Sequence, residues 1–332
     1  MKTRQLGKTG PVVSAFGLGA MGMSDMYGPS DRAESLATFD AAVEAGMTLI
    51  DTGDFYGMGH NEMLIGEALK SHKRDRLVIS VKTGALRDPN GAFLGYDARP
   101  AALKNFVAYS LKRLGVDHID IYRPARLDPN VPIEDTVGAI AEMVQAGYVR
   151  HIGLSEMGAE TIRKAAKVAP IVDLQIEYSL VSRGVEKDIL PTLRELGIGM
   201  TAYGVLSRGL ISGHWTKQRS ENVGRDFRAH SPRFQGDNLD ANLKLVQALG
   251  AVAQEKGVTT AQAAIAWVAS RGDDIVPLIG ARRRDRLTEA LGALEVNLTP
   301  TDLAAIEAAV PSEAVAGARY AEAMMNHLDS ER

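Results

Sequence analysis

The segment RLGVDHIDIY, residues 113–122, contains the unit that decides the fold, a helix end followed by a short strand. Gly115 stands just past an amphipathic stretch, where a left-handed helix C-cap favours glycine. Ile119 and Ile121 then alternate with Asp120, which is typical of a strand with a buried face. The same unit recurs in EAGMTLIDTG (44–53), QAGYVRHIGLS (145–155) and ELGIGMTAYG (195–204). The recurrence indicates a chain built from successive βα units.

Four further strands complete the predicted set: SAFGLGA (14–20), RLVISVK (76–82), PIVDLQIE (170–177) and DIVPLIG (274–280). Eight strands separated mostly by single helices predict an α/β fold of the (β/α)8 TIM barrel type, with residues 1–332 as one domain. RQLGKTGPVV (4–13) predicts an N-terminal β-hairpin that plugs the barrel bottom.

Two segments lie outside this repeat. Residues 207–238 form an irregular stretch before two predicted helices, and such long loops are typically functional or disordered. ARYAEAMMNHL (318–328) has a helical apolar pattern and predicts a C-terminal helical tail. We expect this tail to fold over the barrel mouth, to contact another subunit or simply to dock on the surface.

The composition is typical of a globular protein that binds small molecules. The chain is 45% hydrophobic and 24% charged, and its net charge of −3 gives no field to attract nucleic acid. We find no signal peptide and no run of about 18 apolar residues, so we expect a cytoplasmic protein without membrane association. The absence of cysteine excludes thiolate chemistry, and the seven scattered histidines predict no metal site. The sequence leaves homo-oligomerisation open.

GLGAMG, residues 17–22, fits the G-x-G-x-x-G pattern of Rossmann dinucleotide-binding units. In that fold the glycines open directly into a helix whose N-terminus binds the pyrophosphate. Here MSDMYGPSD intervenes, and we expect the helix to start at an N-cap at Ser30 or Asp31. A doubly wound sheet also leaves the eight successive strands unexplained. We therefore favour the barrel.

The active site of a (β/α)8 barrel forms at the carboxyl ends of its strands, and here those ends are polar. The second strand ends in LIDTGDFYG (49–57), with Asp51 and Tyr56, and the third ends at Lys82. A free tyrosine has a pKa of about 10, and an adjacent ammonium lowers it. We expect Lys82 to lower the pKa of Tyr56, and Asp51 to keep Lys82 protonated. Each residue alone could be an ordinary strand-end cap or rim salt bridge, but the three together predict proton-transfer chemistry.

The sequence closely resembles the aldo-keto reductases over nearly its whole length. The N-terminal hairpin carries the resemblance, together with GLGAMG, IDTGDFYGMGHNE, VKTG, LKRLGVDHIDIY, VRHIGLSE, QIEYSL, AYGVLSRGL and GARRRDRLTEAL. The resemblance implies reduction of aldehydes and ketones by NADPH that lies extended across the barrel mouth. It also implies that Tyr56 is the proton donor, tuned by Lys82 and Asp51.

The resemblance further implies where the cofactor binds. The implied contacts are Ser155, Glu156 and Gln175 at the nicotinamide carboxamide, Tyr203 on the nicotinamide ring, the backbone from Gly204 to Leu210 with Leu206 and Arg208 along the pyrophosphate, and Gly280, Arg282, Arg286 and Glu289 at the adenosine end.

A physical argument from the residues also supports the binding site for the adenosine end of the cofactor. GARRRDRL (280–287) places Arg282, Arg283, Arg284 and Arg286 around a helix start after the last strand. Free backbone N–H groups and the helix dipole favour an anion there, and guanidinium groups suit a dianionic 2'-phosphate. We therefore predict NADPH rather than NADH.

This chain departs from the family pattern at three positions. Glu156 stands where the family commonly has Asn, and Ala290 stands where Asn is frequent. Ala125 stands where the family has a catalytic histidine that hydrogen-bonds the substrate carbonyl. Three consequences of the missing histidine are open. The protein could be a slower reductase, it could have a wider pocket that admits a bulky ketone, or an arginine could replace the histidine as hydrogen-bond donor. The predicted substrate-facing residues are Met21, Met26, Phe55, Phe93, Arg123, Ala125, Arg126, Trp215 and the C-terminal tail.

The leading hypothesis is an NADPH-dependent reductase of a small-molecule carbonyl substrate. Ala125 also permits a cofactor-binding regulator with little turnover, like the potassium-channel β subunits that share this fold. A third reading is a Schiff-base lyase that uses Lys82.

Overall fold

The structure is a computed structural model that describes residues 1–24, 26–221 and 226–332. In this part of the chain, eight parallel strands close into a barrel surrounded by helices, which confirms the predicted (β/α)8 fold. The strands, numbered along the chain, are β1 Gly17–Gly19, β2 Leu49–Gly53, β3 Val78–Thr83, β4 Ile119–Pro124, β5 Val149–Ser155, β6 Ile171–Glu177, β7 Gly199–Tyr203 and β8 Ile275–Gly280. The barrel closes where β8 pairs with β1.

The helices of the described residues lie mainly outside this barrel. They are α1 Arg32–Glu44, α2 His60–Ala68, α3 Pro100–Leu114, α4 Ile133–Gln145, α5 Ala159–Val168, α6 Ile189–Leu196, α7 Lys217–Glu221, α8 Gly236–Glu255, α9 Thr260–Ala269, α10 Arg284–Leu291, α11 Pro300–Ala309 and α12 Glu322–Met325. Gly115 and Gly197 end α3 and α6 in the left-handed conformation, with φ of 68° and 70°. Every helix in residues 1–24, 26–221 and 226–332 is too short or too polar to span a bilayer.

The start of α1 explains why GLGAMG is not a Rossmann motif. After β1 the chain enters a 3-10 turn at Met21–Ser24, and α1 begins only after Asp31. The Asp31 carboxylate caps α1 by accepting a hydrogen bond from the Glu34 N–H at 2.7 Å. The helix N-terminus is therefore separated from the glycines, as the sequence predicts.

The N-terminal hairpin pairs Thr3–Gln5 with Val12–Ser14 and plugs the barrel bottom, as predicted. Its Leu6 and Val13 pack on an apolar layer that includes Leu49 and Ile121. Asp51 lies two residues beyond Leu49 on β2, and Arg123 lies two residues beyond Ile121 on β4, so both side chains also point into the barrel. The barrel interior therefore changes from apolar at the bottom to charged near the mouth.

Three segments build the rim at the carboxyl ends of the strands. The segment after β7 contains the 3-10 turns Ser207–Ser212, Phe227–His230 and Pro232–Phe234, and it leads into α8 and α9 as expected; residues 222–225 lie outside the described part. An unpredicted rim hairpin pairs Ala85–Arg87 with Phe93–Tyr96. The expected helical tail is mostly turns, because only the short α12 and two 3-10 turns form in it.

Candidate active site

The carboxyl ends of the strands surround a cavity of about 1180 Å³. Asp51, Tyr56 and Lys82 meet in its wall, so the structure brings the predicted proton-transfer group together. Other predicted site residues that line it are Met21, Phe55, Ala125, Arg126, Ser155, Gln175, Tyr203, Gly204, Leu206, Arg208, Gly280, Arg282, Arg286 and Glu289. Met26, Phe93 and Trp215 line it too, whereas Arg123 and Glu156 do not.

Backbone strain concentrates at the same mouth. Met58, Glu156, Ser207 and Arg208 are the non-glycine residues of the described chain with positive φ, at 54°, 54°, 46° and 58°. Each such conformation costs about 1 kcal/mol or more, and strained residues cluster at functional sites. Met58 and Arg208 line the cavity, and the other two adjoin lining residues.

The Asp51 carboxylate accepts hydrogen bonds from three side chains of the site. Its Oδ1 accepts a hydrogen bond from Lys82 Nζ at 2.5 Å. Its Oδ2 accepts from Ser80 Oγ at 3.0 Å and from Gln175 Nε2 at 2.7 Å. The Lys82 ammonium lies 5.3 Å from the centroid of the Tyr56 ring. Since Asp51 and Lys82 are both buried, their ion pair is held in a fixed geometry.

The pKa of Tyr56 is raised, whereas the sequence predicts that Lys82 lowers it. Burial raises it well above the usual value, and the nearby Asp51 carboxylate raises it further, while Arg126 opposes both. Burial also lowers the pKa of Lys82 against the pull of Asp51. The expected net lowering is wrong because burial and the Asp51 carboxylate together outweigh any lowering by the nearby Lys82 ammonium. Tyr56 is therefore fully protonated at neutral pH, as a proton donor must be.

Arg123 lies inside the barrel beneath the cavity, so its predicted place facing the substrate is wrong. Its Nη1 donates to Asp173 Oδ2 at 2.9 Å, and its Nη2 donates to Ser80 Oγ at 3.0 Å. A Cβ on Gly153 would approach the Arg123 Cζ to 3.0 Å, so glycine there leaves room for the guanidinium. Arg123 thus forms a buried ion pair that connects through Ser80 to Asp51.

Ala125 and Arg126 follow this residue at the end of β4 and face the cavity. Ala125 is 2% exposed, and its N–H donates to the Thr83 carbonyl oxygen at 2.8 Å. Arg126 Nη1 donates to the Ala125 carbonyl oxygen at 2.6 Å. The proline kink therefore directs Arg126, and not Arg123, towards the cavity.

Glu156 anchors the tail instead of lining the cavity. Its Oε1 accepts hydrogen bonds from Tyr203 Oη at 2.6 Å and Arg319 Nη1 at 2.8 Å. Its Oε2 accepts from Arg319 Nη2 at 2.6 Å and Ser330 Oγ at 2.7 Å. Burial alone would raise the pKa of Glu156, but Arg319 holds it well below the usual value. Because both carboxylate oxygens are engaged, the expected contact of this side chain with a carboxamide is not available.

The tail thereby covers part of the mouth. The Tyr320 hydroxyl lies 2.9 Å from that of Tyr203, and the Arg208 guanidinium lies 4.2 Å from the centroid of the Tyr320 ring. Arg208 Nη1 also donates to the Arg319 carbonyl oxygen at 2.6 Å. Of the three positions that the sequence leaves open for the tail, the structure shows the one over the barrel mouth.

Ser155 offers an unused polar group to the cavity. Its Oγ is buried and has no hydrogen-bond partner among the described residues, although the residue lines the cavity. A buried hydroxyl without a partner is uncommon and points to a ligand. Beyond Tyr203, Gly204 turns the chain with a φ of 66°, and the backbone continues along the wall.

The far end of the cavity is basic. Arg282, Arg283 and Arg286 line it, and Arg286 Nη1 lies 3.0 Å from Glu289 Oε2. Arg284 does not line it, because its guanidinium pairs with Glu34 of α1 at 2.9 Å. Three of the four arginines predicted to bind a phosphate therefore line the cavity.

Several lining residues are absent from the sequence analysis. They are Tyr27, Arg87, Tyr96, His214, Arg219, Phe227 and Arg228, whereas the lining residues Tyr320 and Met324 belong to the tail that the sequence predicts to face the substrate. All of the former but Arg219, which lies on the short helix α7, belong to loops, a 3-10 turn or the rim hairpin, whose positions periodicity does not predict. The sequence signal for this hairpin is the pair of aromatic residues Phe93 and Tyr96 at the two ends of its second strand, directly after the turn of residues 88–92.

The family model for the aldo/keto reductase family matches residues 15–311 of this chain. The chain belongs to the aldo/keto reductase family. The match covers every barrel strand, so the family resemblance inferred from sequence motifs is confirmed, and with it the assignment to a family of oxidoreductases.

Proteins that are similar to this chain in sequence or in structure support the same family assignment. It is 40% identical over 319 residues to the probable aldo-keto reductase 1 of Glycine max, covering 95% of this chain and 91% of that protein. The glycerol dehydrogenase AKR11B4 of Gluconobacter oxydans has a TM-score of 0.83 at 27% identity, covering 93% of this chain and 96% of the other. The holo form of aldo-keto reductase AKR11C1 from Bacillus halodurans has a TM-score of 0.77 at 25% identity, covering 94% and 97%.

Proposed function

We propose that this aldo/keto reductase is an NADPH-dependent carbonyl reductase that converts an aldehyde or ketone to an alcohol. The observation that carries the proposal is the placement of Tyr56 beside the Lys82–Asp51 pair in the same cavity whose far end holds Arg282 and Arg286. A phenol beside a fixed ion pair supplies acid chemistry, and the arginines supply a phosphate site.

The residues present fit a nicotinamide dinucleotide. The unpartnered Ser155 hydroxyl lies in the wall near Tyr203, and the cavity has the volume for an extended ligand. Ser155 and Tyr203 would hold the nicotinamide end, the backbone from Gly204 would follow the pyrophosphate, and Arg282 and Arg286 would bind the 2'-phosphate. NADPH, when bound, supplies the hydride that the carbonyl carbon receives.

Tyr56 donates its hydroxyl proton to the carbonyl oxygen, which completes the alcohol. The phenolate that remains is a buried anion and needs a positive charge nearby. The Lys82 ammonium, 5.3 Å from the ring centroid and held by Asp51, provides it. Proton uptake from solvent restores the phenol for the next turnover.

Ala125 removes the imidazole that the family has at this position. A methyl group cannot donate a hydrogen bond, and loss of one donor to a developing oxyanion costs about 10²- to 10³-fold in rate in well-studied enzymes. Ala125→His is therefore expected to raise kcat for a small aldehyde by up to about 10²-fold and to change the Kd for NADPH less. Steady-state kinetics with a fluorescence titration of NADPH measures both quantities. A change in cofactor affinity alone would contradict the assignment of Ala125.

Arg286 provides a test of cofactor choice. Loss of a charge-assisted hydrogen bond costs about 1.5–3 kcal/mol, so Arg286→Met is expected to raise the Kd for NADPH by about 10- to 100-fold. The Kd for NADH, which lacks the 2'-phosphate, should rise much less. Arg284→Met is the matched control because Arg284 pairs with Glu34 outside the cavity. Equal weakening of both cofactors in Arg286→Met would argue against the proposed phosphate site.

The proposed function as a whole is tested by multiple turnover. Purified protein with NADPH and a panel of aldehydes and ketones should oxidise NADPH in step with alcohol formation. A cofactor-binding regulator, which Ala125 favours, would bind NADPH tightly and turn over no member of the panel. Failure of borohydride to trap a substrate on Lys82 would exclude the lyase, and the Asp51–Lys82 ion pair favours that result because an ammonium is not a nucleophile.

A further inference from the structure

Two arginines that line the cavity carry a positive charge that forms no ion pair with a carboxylate of the described residues. Arg126 follows β4, Arg87 lies on the rim hairpin, and both line the cavity. Neither forms an ion pair within residues 1–24, 26–221 and 226–332. Four other arginines of the same cavity do so, namely Arg208 with Glu177, Arg228 with Asp226, Arg283 with Asp285 and Arg286 with Glu289.

Both guanidinium groups keep donors for a ligand. A guanidinium has about five N–H donors, and in the described structure Arg126 uses one, on the Ala125 carbonyl oxygen at 2.6 Å. Arg87 Nη1 donates to the Gly91 carbonyl oxygen at 3.2 Å, and its guanidinium lies 5.8 Å from the centroid of the Phe93 ring. The remaining N–H groups stay free to bind oxygen atoms of a molecule in the cavity.

The electrostatics favour an anion at this place. Burial alone would lower the pKa of Arg126, but Tyr203, Tyr320 and Glu156 raise it above the usual value, so the group stays charged. Arg126 and Arg87 both lower the pKa of Tyr96 against the effect of its burial, so their fields overlap at that residue. The Lys82 ammonium, in contrast, is already paired with the Asp51 carboxylate. The substrate part of the cavity therefore has an excess of positive charge from two partly buried guanidinium groups, which favours an anionic ligand.

On the basis of the proposed function, we propose that Arg126, assisted by Arg87, binds a carboxylate of the carbonyl substrate. The substrate class is then an aldehyde or ketone that carries a carboxylate group. The planar fork of a guanidinium matches a carboxylate with two parallel hydrogen bonds. Between the arginines, the Phe93 and Tyr96 rings lie 5.0 Å apart and each lies 5.6 Å from the His327 ring. This aromatic wall suits a flat or apolar body that links the carboxylate to the carbonyl.

A pair of matched substrates tests the subsite. We expect the wild type to have a higher kcat/KM for 4-carboxybenzaldehyde than for 4-methylbenzaldehyde. Arg126→Gln should lower the ratio of the two kcat/KM values by about 10- to 100-fold, mainly through the KM of the carboxylate substrate. The intrinsic reactivities of the aldehydes cancel when variant and wild type are compared. Arg126→Lys keeps the charge and should lose less of the ratio.

Arg284→Gln is the control and should leave the ratio unchanged, because Arg284 pairs with Glu34 away from the cavity. An unchanged ratio in Arg126→Gln, or an equal loss for both aldehydes, would overturn the carboxylate subsite. If Arg126→Gln does not fold, two other measurements test the subsite: the ratio of the two kcat/KM values in Arg87→Gln, and competitive inhibition of the wild type by benzoate. A lower ratio in Arg87→Gln, with inhibition by benzoate but not by benzamide, would support the subsite. The absence of both effects would overturn it. If the wild type reduces no member of the carbonyl panel, the proposed function fails, and benzoate binding that is weaker in Arg126→Gln separately decides the subsite.

Discussion

Tyr56→Phe is expected to lower kcat for aldehyde reduction by about 10²- to 10⁴-fold, the usual contribution of a positioned general acid. The phenylalanine keeps the ring that packs edge-on against Phe55 at 4.9 Å, so only the proton donor is lost. The Kd for NADPH should therefore change little. Steady-state rates and a fluorescence titration of NADPH measure the two effects separately.

Tyr122→Phe is the matched control for the loss of a buried hydroxyl. Tyr122 lies on β4, is fully buried, and its hydroxyl donates a hydrogen bond to the Leu103 carbonyl oxygen at 3.4 Å. It does not line the cavity, so its kcat should stay within about threefold of wild type. Full activity in Tyr56→Phe would eliminate Tyr56 as the proton donor.

Lys82→Met is expected to have the second large effect, on activity and on stability. The methionine leaves the buried Asp51 carboxylate without its cation, beside the phenol that must become an anion. The kcat should fall by about 10²-fold or more, because phenolate formation then opposes an uncompensated charge. Removal of one partner of a buried ion pair costs about 3–5 kcal/mol, so the denaturant midpoint should fall at constant m.

The double variant Asp51→Asn with Lys82→Met separates the two effects. It removes both charges, so it should recover most of the stability that the single variant loses while kcat stays low. Recovery of kcat together with stability would mean that Lys82 acts only through folding.

The fold could be predicted because its repeating unit is local. Gly115 and Gly197 end helices in a conformation that favours glycine, and alternating residues such as Ile119 and Ile121 mark the strands that follow. The rim hairpin and the real shape of the tail could not be predicted in this way. The tail is held by long-range contacts such as Arg319 with Glu156, and these outweigh its helical pattern.

The core of the candidate site could also be predicted, because strand ends in a barrel meet at one place. Asp51, Tyr56 and Lys82 follow from that rule alone. The directions of Arg123 and Arg126 do not, because Pro124 lies between them and ends the regular alternation of the strand. The structure places Arg123 under the cavity, paired with Asp173 of β6, a contact 50 residues apart that no local pattern reveals.

The direction of the pKa shift of Tyr56 depends on how deeply the phenol is buried and on where the charged groups around it lie. The sequence indicates that a lysine is near, but the shift follows from burial first and Asp51 second. The Lys82 ammonium, 5.3 Å from the ring centroid, still favours the phenolate, so without it the pKa of Tyr56 would rise further. It thereby lowers the cost of the phenolate that remains after proton donation, which is the state that catalysis requires.

The most direct test of the account is the transfer of deuterium from NADPH labelled at the reactive position of the nicotinamide. With 4-carboxybenzaldehyde as the substrate, we predict that mass spectrometry will find one deuterium on the carbinol carbon for each NADPH oxidised, over many turnovers. Alcohol without deuterium, or no alcohol from any carbonyl compound while NADPH stays bound, would contradict the assignment of this aldo/keto reductase as a carbonyl reductase.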